Sequence, residues 1–381
     1  MTDTYDAIVI GAGAMGSAAA YYLSRRGQRV LLLEQFALDH QRGSSYGFSR
    51  IIRYSYDKPD YVDLAKDTYP LWFALEDELG EQLVMKTGGI DFGPKDDPTL
   101  QATIAAARES RLAHELLAPA EAQEQFPQFR FADNFAALYQ PDSGFVRASR
   151  AVRGHVQLAR ANGAELLDHA AVTAIRIGSD SVEVASSRGD FSAGRLVVTA
   201  GAWAKSLLAQ TGIDLPLRVL RCQLNFLAPA DLPLHSAENC PVYIAHFRAR
   251  DGEGIYGIPA HAGSGFKVAF HGGAAVAHPS EIDYATRVAD VENLRPFLRA
   301  HIPGVAAAPV QSSRVCLYTQ TPDEHFIIDK HPNHAHVVIG AGFSGHGFKF
   351  STTIGKMLSE LALDGRTPHT DSLFKLTRFI A

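Results

Sequence analysis

The sequence is poor in cysteine. Its 381 residues include only Cys222, Cys240 and Cys316. An odd number at such wide spacing indicates neither a disulfide framework nor the paired spacing of a metal site. We therefore expect a protein of the reducing cytoplasm that binds no metal.

Runs of basic or apolar residues are also lacking. Lys and Arg number 36 against 41 Asp and Glu, for a net charge of −5. Without a basic cluster there is no electrostatic footprint for a phosphate backbone, so we expect no nucleic-acid partner. No stretch approaches about 18 uninterrupted apolar residues, so we expect no membrane partner either. At 46 % hydrophobic residues the chain can bury a large core, and its length favours two domains or one domain with an insertion.

The first thirty-four residues are the most informative segment. The apolar run 5–10 predicts a strand, a helical pattern follows up to Gly27, and 29–33 predicts a second strand. The turn between the first strand and the helix contains Gly11, Gly13, Met15 and Gly16. This strand, glycine turn, helix and strand are the context that a dinucleotide fingerprint requires.

Each position of this fingerprint has a physical reason. Gly11 permits the tight turn, Gly13 lets the backbone approach a pyrophosphate, and Gly16 allows close packing of helix and strand. Glu34, at the end of the second strand, suits the 2′-hydroxyl of an unphosphorylated ribose. We therefore predict a bound dinucleotide. The motif alone does not separate FAD from NAD, and a lone motif of this kind can also be an ordinary glycine-rich turn.

Beyond residue 34 the regular alternation of strand and helix stops. A loop rich in glycine and serine occupies 43–53, and short strands and helices follow, among them one helix at about 285–298. The pattern predicts an α/β (α+β) fold, with a discontinuous Rossmann-like nucleotide domain and an inserted antiparallel-sheet substrate domain. The predicted segments are 1–85, 150–215 and 320–381 for the nucleotide domain, and 86–149 and 216–319 for the substrate domain.

Three further motifs carry a family resemblance. They are Gly-Ser-x-x-Gly-x-x-Arg-Ile-Ile-Arg at 43–53, Val-Cys-x-Tyr-Thr-x-Thr-x-Asp-Glu-His-Phe-Ile-Ile-Asp at 315–329, and Gly-Phe-Ser-Gly-His-Gly-Phe-Lys-Phe at 342–350. With the fingerprint, they make nearly the whole chain resemble the monomeric sarcosine oxidase and N-methyltryptophan oxidase family. These are flavin amine oxidases of the D-amino-acid-oxidase superfamily. The resemblance implies a monomer that binds FAD, an amino-acid substrate and molecular oxygen.

The resemblance changes the interpretation of Cys316. Taken alone, a cysteine on an apolar strand is usually a small core residue. The family position implies instead that Cys316 holds the flavin covalently through its sulfur at the 8α-methyl group. Cys222 and Cys240 have no such neighbours, and we interpret them as structural.

Basic residues at family positions imply a carboxylate site and a flavin site. Arg53 and Lys349 match positions that bind the substrate carboxylate, although surface charge is the usual role of such residues. Arg50 matches an arginine against the flavin ring, with a local salt bridge as the alternative. Further positions that we expect to contact the cofactor are Ser44, Gly342, Gly345, Gly347 and Phe348.

A last group of residues implies the chemistry. Lys267 matches a lysine near flavin N5 that promotes the reaction with oxygen, because a fixed cation stabilises superoxide-like charge. Tyr256 and Tyr318 match pocket residues. His271 could tune the protonation of the substrate amine, although an isolated histidine on a strand is often only hydrogen-bonded core.

Two departures from the family affect the expected substrate. Ser45 and Tyr46 stand where relatives commonly have histidines, and the segment 243–250, with His246, Phe247 and Arg248, does not match the pocket-gating strand. Sarcosine itself is therefore not necessarily the preferred substrate.

We predict an oxidase that acts on the C–N bond of a secondary α-amino acid and forms an imine and hydrogen peroxide. Alternatives are an oxidase of cyclic or other amino acids, such as pipecolate or proline, and a dehydrogenase of the same fold that passes electrons to another acceptor. A NAD-dependent dehydrogenase or a nucleotide sensor would share the fingerprint but leave the motifs around Cys316 and Lys349 unexplained.

Overall fold

The computed structural model describes residues 3–249, 253–369 and 372–380, and only the backbone of residues 248, 249, 253 and 372. In this part of the chain the α-helices are α1 Ala14–Arg25, α2 Pro59–Leu79, α3 Pro98–Glu109, α4 Pro119–Gln125, α5 Ala148–Ala161, α6 Ala204–Ala209, α7 Val288–Glu292, α8 Arg295–His301, α9 Pro303–Ala306 and α10 Ser351–Asp364. The strands are β1 Asp3–Ile10, β2 Val30–Leu33, β3 Arg50–Ile52, β4 Val84–Lys86, β5 Gly89–Pro94, β6 Glu115–Leu117, β7 Phe135–Gln140, β8 Gly144–Val146, β9 Glu165–Leu167, β10 Val172–Ile177, β11 Val182–Ser186, β12 Gly189–Val198, β13 Arg218–Leu227, β14 Val242–Ala249, β15 Glu253–Ile258, β16 Phe266–His271, β17 Ala274–Val276, β18 Val310–Gln320, β19 Ile327–His331 and β20 His334–Ala341.

An eight-stranded sheet contains the N-terminal strand. Its main order is β10-β11-β12-β1-β2-β9. Strand β20 also pairs with β12, and β19 pairs with β20. Strand β1 runs parallel to both β2 and β12. Its last four residues are buried, as expected for a central strand covered on both faces.

Helices cover one face of this sheet, and two of them, α1 and α10, pack very close to each other. Gly355 in α10 leaves no room for a side chain, because a Cβ there would overlap Ala18 in α1 and lie 2.8 Å from the backbone nitrogen of Ala19. Apolar side chains of α1, α2, α5 and α10 form one core against the sheet, and a second core lies on its opposite face. The predicted α/β class is thereby confirmed.

A nine-stranded sheet has the main order β17-β13-β16-β15-β14-β5-β7-β6, and β18 pairs with β13. Its strand pairs are antiparallel, as predicted for the substrate domain, except that β14 runs parallel to β5. These two strands are far apart in sequence, so no hairpin sets their direction.

A three-stranded sheet, β3-β8-β4, joins segments from both predicted domains. All strands of the eight-stranded sheet lie within 1–85, 150–215 and 320–381. Those of the nine-stranded sheet lie within 86–149 and 216–319, except that β18 ends at Gln320. The domain boundaries themselves stay a prediction.

Two local predictions need correction. The helix predicted at 285–298 is split into α7 and α8, and Pro296 lies in the first turn of α8, where a missing amide N–H costs nothing. The segment 43–53 is not entirely a loop, because Arg50–Ile52 forms β3 against Val146 to Gly144. No helix in the described part of the chain is long and apolar enough to cross a membrane.

Candidate active site

A cavity of about 1040 Å³ lies between the two large sheets. Nearly all the residues predicted to bind cofactor or substrate line it: Gly11, Gly13, Met15, Glu34, Ser44, Arg50, Arg53, Tyr256, Lys267, His271, Cys316, Tyr318, Gly345, Gly347, Phe348 and Lys349. Gly16 and Gly342, predicted as cofactor-binding, do not line it. Residues from all three motifs therefore meet in one place.

The turn after β1 forms one end of the cavity. Gly11 has a φ of +96°, and a Cβ there would lie 2.6 Å from the backbone oxygen of Thr199. A Cβ on Gly16 would overlap the backbone oxygen of Gly11, which explains why Gly16 acts in packing. Gly13 precedes α1 and lines the cavity. The N-terminus of α1 can therefore approach an anion closely.

Glu34 is 5 % exposed, and nearby backbone amides hold its carboxylate in place. One carboxylate oxygen accepts a hydrogen bond from the Ala12 amide at 2.9 Å, and the other accepts one from the Phe36 amide at 3.0 Å. Nε2 of His40 lies 3.4 Å from the second oxygen. These contacts orient the carboxylate at the cavity wall, where it could accept hydrogen bonds from ribose.

Cys316 lies on β18 in the cavity wall, and the loop before β3 clasps the strand on both sides of it. The Ser44 hydroxyl donates to the carbonyl of Leu317, and the Tyr46 hydroxyl donates to the carbonyl of Val315. Tyr46, one of the departures from the family pattern, is thus buried and ties the loop to the strand. The sequence alone did not indicate this contact.

Arg50 braces the same loop. Its guanidinium donates hydrogen bonds of 2.8 Å to the carbonyls of Ser44, Tyr46 and Ser49. Among the described residues it forms no salt bridge, which was the alternative considered for it. Its guanidinium carbon lies 5.7 Å from the ring centre of Phe348. Arg50 therefore contributes a positive charge to the cavity wall that no carboxylate in the described part of the chain neutralises.

Lys267 is a second buried cation. It is 1 % exposed, its ammonium lies 3.4 Å from the Ser49 carbonyl, and it lies 5.3 Å from the ring centre of Tyr256. Burial and, secondarily, the charge of Arg50 lower the pKa of Lys267 well below its usual value. An anion in the cavity would stabilise its charged form.

Arg53 and Lys349 meet around Tyr56, which sequence reasoning missed. The Lys349 ammonium donates to the Tyr56 hydroxyl at 2.7 Å and to the His346 carbonyl at 2.8 Å. The Arg53 guanidinium carbon lies 4.6 Å from the Tyr56 ring centre. Burial and the nearby Arg53 charge lower the pKa of Lys349 well below its usual value. Two cations on one aromatic ring form a pocket suited to a carboxylate.

Three rings with hydrogen-bonding groups also line the cavity. The hydroxyls of Tyr256 and Tyr318 are 3.3 Å apart, and the His271 ring centre lies 5.3 Å from that of Tyr318. Burial, with the charges of Lys349 and Arg53, lowers the pKa of His271 to about 4. The imidazole is solvent-accessible in the ligand-free cavity, and this lowered pKa favours its neutral form. Gly345 packs flat on Tyr318, where any Cβ would overlap the ring.

Asp91 is another functional candidate that sequence reasoning missed. Its carboxylate accepts hydrogen bonds from Ser55 at 3.0 Å and Arg53 at 3.3 Å, and lies 3.0 Å from Nε2 of His246. Burial would raise the pKa of Asp91, but the Arg53 charge and the His246 hydrogen bond hold it below its usual value. Arg53 is therefore paired with a buried anion before any ligand arrives. The side chain of Arg248 and residues 250–252 lie outside the described part of the chain.

Replacing Asp91 with Asn should destabilise the ligand-free protein. Removing one partner of a buried ion pair costs about 3 to 5 kcal/mol of folding free energy. Because the new asparagine amide can still form hydrogen bonds with neighbouring side chains, we expect a loss near the lower end of this range. Urea unfolding measures it. Because Arg53 then has no counter-charge, a carboxylate inhibitor should raise Tm more in Asp91→Asn than in the unchanged protein.

The matched control is Asp142→Asn. Asp142 pairs with Lys86 at 2.9 Å, but both side chains are more than 40 % exposed. A surface pair of this kind contributes about 1 kcal/mol or less. Equal losses in the two variants would show that Asp91 is not a buried counter-ion of Arg53.

His331, His334 and His336 flank a Pro-Asn dipeptide, for which the sequence predicts a solvated turn rather than a metal site. The structure corrects this prediction. The three histidines lie in β19 and β20, and His331 is buried with Nε2 2.9 Å from the Thr211 carbonyl. Among the described residues, no group of three or more His, Cys, Asp or Glu side chains could hold a metal ion.

The cavity fits a flavin dinucleotide. It is long, it begins at a glycine turn and helix N-terminus suited to a pyrophosphate, and Glu34 stands where a ribose would lie. Its wall also contains the buried Lys267 and the half-buried Arg50, neither of which pairs with a carboxylate among the described residues. Such an environment favours a ring system that becomes anionic. The fold and the site together define a dinucleotide-dependent oxidoreductase.

Comparisons with known proteins identify the family. Residues 6–361 match the family described as FAD dependent oxidoreductase (DAO). The chain is 38 % identical to the monomeric sarcosine oxidase of Arthrobacter sp. (strain TE1826), with 98 % of this chain and 96 % of that protein covered. It is 33 % identical to the N-methyl-L-tryptophan oxidase of Citrobacter koseri, with 98 % and 99 % covered. Among solved structures, a variant of NikD, an unusual amino acid oxidase essential for nikkomycin biosynthesis, superimposes with a TM-score of 0.87 at 25 % identity, covering 98 % of this chain and 97 % of that one.

The chain belongs to this family of FAD-dependent oxidoreductases. This membership confirms the resemblance carried by the sequence motifs, and it confirms FAD over the nicotinamide alternative.

Proposed function

We propose that this protein is an FAD-dependent oxidase of secondary α-amino acids, with N-methyl amino acids as the substrate class. Hydride leaves the carbon next to nitrogen and a proton leaves the nitrogen, which forms a C=N bond. The imine is hydrolysed to an aldehyde and an amine. The two electrons and two protons reduce oxygen to hydrogen peroxide. Bound FAD supplies the two-electron acceptor.

One observation carries the proposal. Arg53 and Lys349 converge on Tyr56 in the same cavity that Lys267, Cys316 and His271 line. A carboxylate held at Tyr56 would place the rest of an amino acid among these residues. A nucleotide sensor needs no pocket for a substrate carboxylate, and a nicotinamide enzyme needs no cysteine in the wall of its cofactor cavity.

The side chains divide the work. Arg53 and Lys349 bind and orient the carboxylate, and Asp91 holds the Arg53 guanidinium in place. Neutral His271 can accept a hydrogen bond or a proton from the substrate amine, because hydride loss requires the free nitrogen lone pair. Tyr256 and Tyr318 close the pocket beside it.

We also propose that FAD is attached covalently to Cys316. Forming an S–C bond to the 8α-methyl group replaces one S–H and one C–H bond. It releases two protons and two electrons, which oxygen takes up as hydrogen peroxide. The clasp of Ser44 and Tyr46 on the flanking carbonyls supports this role, because it holds the strand that presents the cysteine.

Peroxide release and acid precipitation test both parts. We expect the purified protein to release one peroxide per N-methyl amino acid consumed, and its yellow colour to stay in the pellet after acid precipitation. In Cys316→Ser the colour should move to the supernatant, because a hydroxyl cannot form the thioether. Cys240→Ser, at a cysteine in a different apolar core, is the control and should keep the colour in the pellet.

The possible results separate the alternatives. Turnover with a dye but without peroxide would indicate a dehydrogenase, and a preference for cyclic amino acids in the same assay would replace the N-methyl class. Colour in the supernatant for the unchanged protein would contradict covalent attachment while leaving FAD as the cofactor.

We further propose a cytoplasmic, monomeric protein. The small number of cysteines supports the reducing compartment. The Arthrobacter relative is a monomeric sarcosine oxidase, which supports the monomer. Cell fractionation and gel filtration coupled to light scattering measure the two properties. A dimer mass in the second experiment would overturn the monomer.

A further inference from the structure

The register of β13 and β18 places two cysteines opposite each other. The strands pair antiparallel over their length, and Cys222 is the direct partner of Cys316. Directly opposed residues in antiparallel strands have Cα atoms about 4.5 to 5.5 Å apart. A disulfide requires a Cα separation of about 4.4 to 6.8 Å. The backbone therefore already holds both residues within bridging range.

Both side chains also share one face of the sheet. Cys222 and Cys316 belong to the same apolar cluster, and each is at most 2 % exposed. Tyr256 and Tyr318 interact electrostatically with both sulfur groups, so the two thiols lie beside the same pair of phenols. Cys316 lines the cavity, so a small molecule formed or bound there can reach its sulfur.

We propose that Cys222 and Cys316 form a cross-strand disulfide in copies of the chain whose Cys316 carries no flavin, with hydrogen peroxide as the oxidant. The Cys316 sulfur attacks one oxygen of hydrogen peroxide and the O–O bond breaks. The departing hydroxide takes up the thiol proton and leaves as water, which gives a sulfenic acid. The Cys222 thiol then attacks that sulfur, forms the S–S bond and releases a second water. In total, two thiols and one hydrogen peroxide give one disulfide and two waters.

The proposed activity supplies the oxidant, since each turnover releases peroxide. The consequence for the cofactor rests on the proposed attachment of FAD to Cys316. A disulfide would occupy the sulfur that the flavin needs, so peroxide from loaded copies would halt the loading of flavin-free copies. Cys222 reacts with the Cys316 sulfenic acid and converts it into a disulfide that can be reduced again. It thereby also protects Cys316 from irreversible oxidation.

Counting alkylated thiols tests the bridge directly. The full chain is produced with limiting riboflavin, treated with hydrogen peroxide, denatured and alkylated, and its intact mass is measured. Of the three cysteines, we expect the flavin-free chain to lose two labels after peroxide and keep only Cys240 labelled. Dithiothreitol should restore all three labels. The flavin-carrying chain should keep labels on Cys222 and Cys240 with or without peroxide.

Three variants complete the test, one as a matched control and two without the second cysteine. Cys240→Ser should still form the bridge, because Cys240 lies in a different apolar core. Cys222→Ser and Cys222→Ala should form none and should accumulate oxygen adducts on Cys316 that dithiothreitol does not reverse. Three labels retained by the unchanged flavin-free chain after peroxide, or adducts on Cys316 in place of the bridge, would overturn the proposal.

A second measurement tests the disulfide and the covalent attachment of FAD to Cys316 separately. After peroxide, incubation with FAD should give covalent flavin only when dithiothreitol is added first, whereas untreated flavin-free chain should load directly. If untreated chain never binds flavin covalently, the attachment to Cys316 is wrong, and the label count still decides whether the disulfide forms. Equal loading of bridged and reduced chains would overturn the proposed block.

Discussion

Replacing Lys267 with Met should slow the reaction with oxygen by about a hundredfold or more, the size of effect seen when one preorganised charge-stabilising group is removed. The Lys267 ammonium is buried and lies 3.4 Å from the Ser49 carbonyl oxygen and 5.3 Å from the ring centre of Tyr256. No carboxylate among the described residues lies beside it, and an anion that forms in the cavity would stabilise the charged form of Lys267. Transfer of an electron to oxygen creates such an anion.

The measurement separates the two halves of the reaction. The enzyme is first reduced by substrate without oxygen and then mixed with oxygen, and the absorbance of the flavin is followed in each step. We expect the first step to change little in Lys267→Met and the second to become slow. Lys330→Met, at a lysine that bonds the Gly365 carbonyl on the surface, is the control. Unchanged reoxidation in Lys267→Met would assign oxygen activation to another group.

Replacing Arg53 with Met should weaken the binding of carboxylate inhibitors by tenfold or more. Truncating one partner of a buried, hydrogen-bonded charge pair costs about 2 to 5 kcal/mol. Arg53 is held by stacking on Tyr56 and by its hydrogen bonds to Ser55 and Asp91, so its guanidinium is oriented before the ligand binds. Titration of the flavin absorbance with the inhibitor gives the dissociation constant.

Two comparisons make this result specific. The amide analogue of the inhibitor lacks the negative charge, so its affinity should respond much less to Arg53→Met. Arg53→Lys keeps the charge that compensates Asp91 but loses the planar guanidinium. Its affinity for the acid should therefore lie between those of Arg53→Met and the unchanged protein. Equal affinity of Arg53→Met and the unchanged protein for the acid would place the carboxylate elsewhere in the cavity.

Much of the nucleotide half of the fold was predictable because its signals are local. Glycine spacing, one buried strand on each side and Glu34 lie within 34 residues, and the structure reproduces the predicted helix and strands there within a few residues. The sequence around 98–110 and 119–126 also predicts helices, each with a proline at its start, and the structure has α3 and α4 there. These signals too are properties of short segments.

The missed parts depend on partners that are distant in sequence. Nothing in the segment around Asp91 indicates Arg53, since 38 residues separate them and only the three-dimensional fold brings the charges together. The same holds for Tyr56, which meets Lys349 across 293 positions. Even β3 was predicted as loop, because three residues form a strand only when β8 is beside them.

The sequence by itself determined the dinucleotide turn, the α/β class and, through its motifs, the family and the flavin. These follow from local propensity and from residue spacing, which need no knowledge of distant neighbours. Only the tertiary structure decided that Asp91 neutralises Arg53, that Ser44 and Tyr46 clasp the strand of Cys316, and that Cys222 faces Cys316. Ion pairs, hydrogen bonds and strand register act over a few ångströms, and the folded chain alone determines which remote residues come within that range.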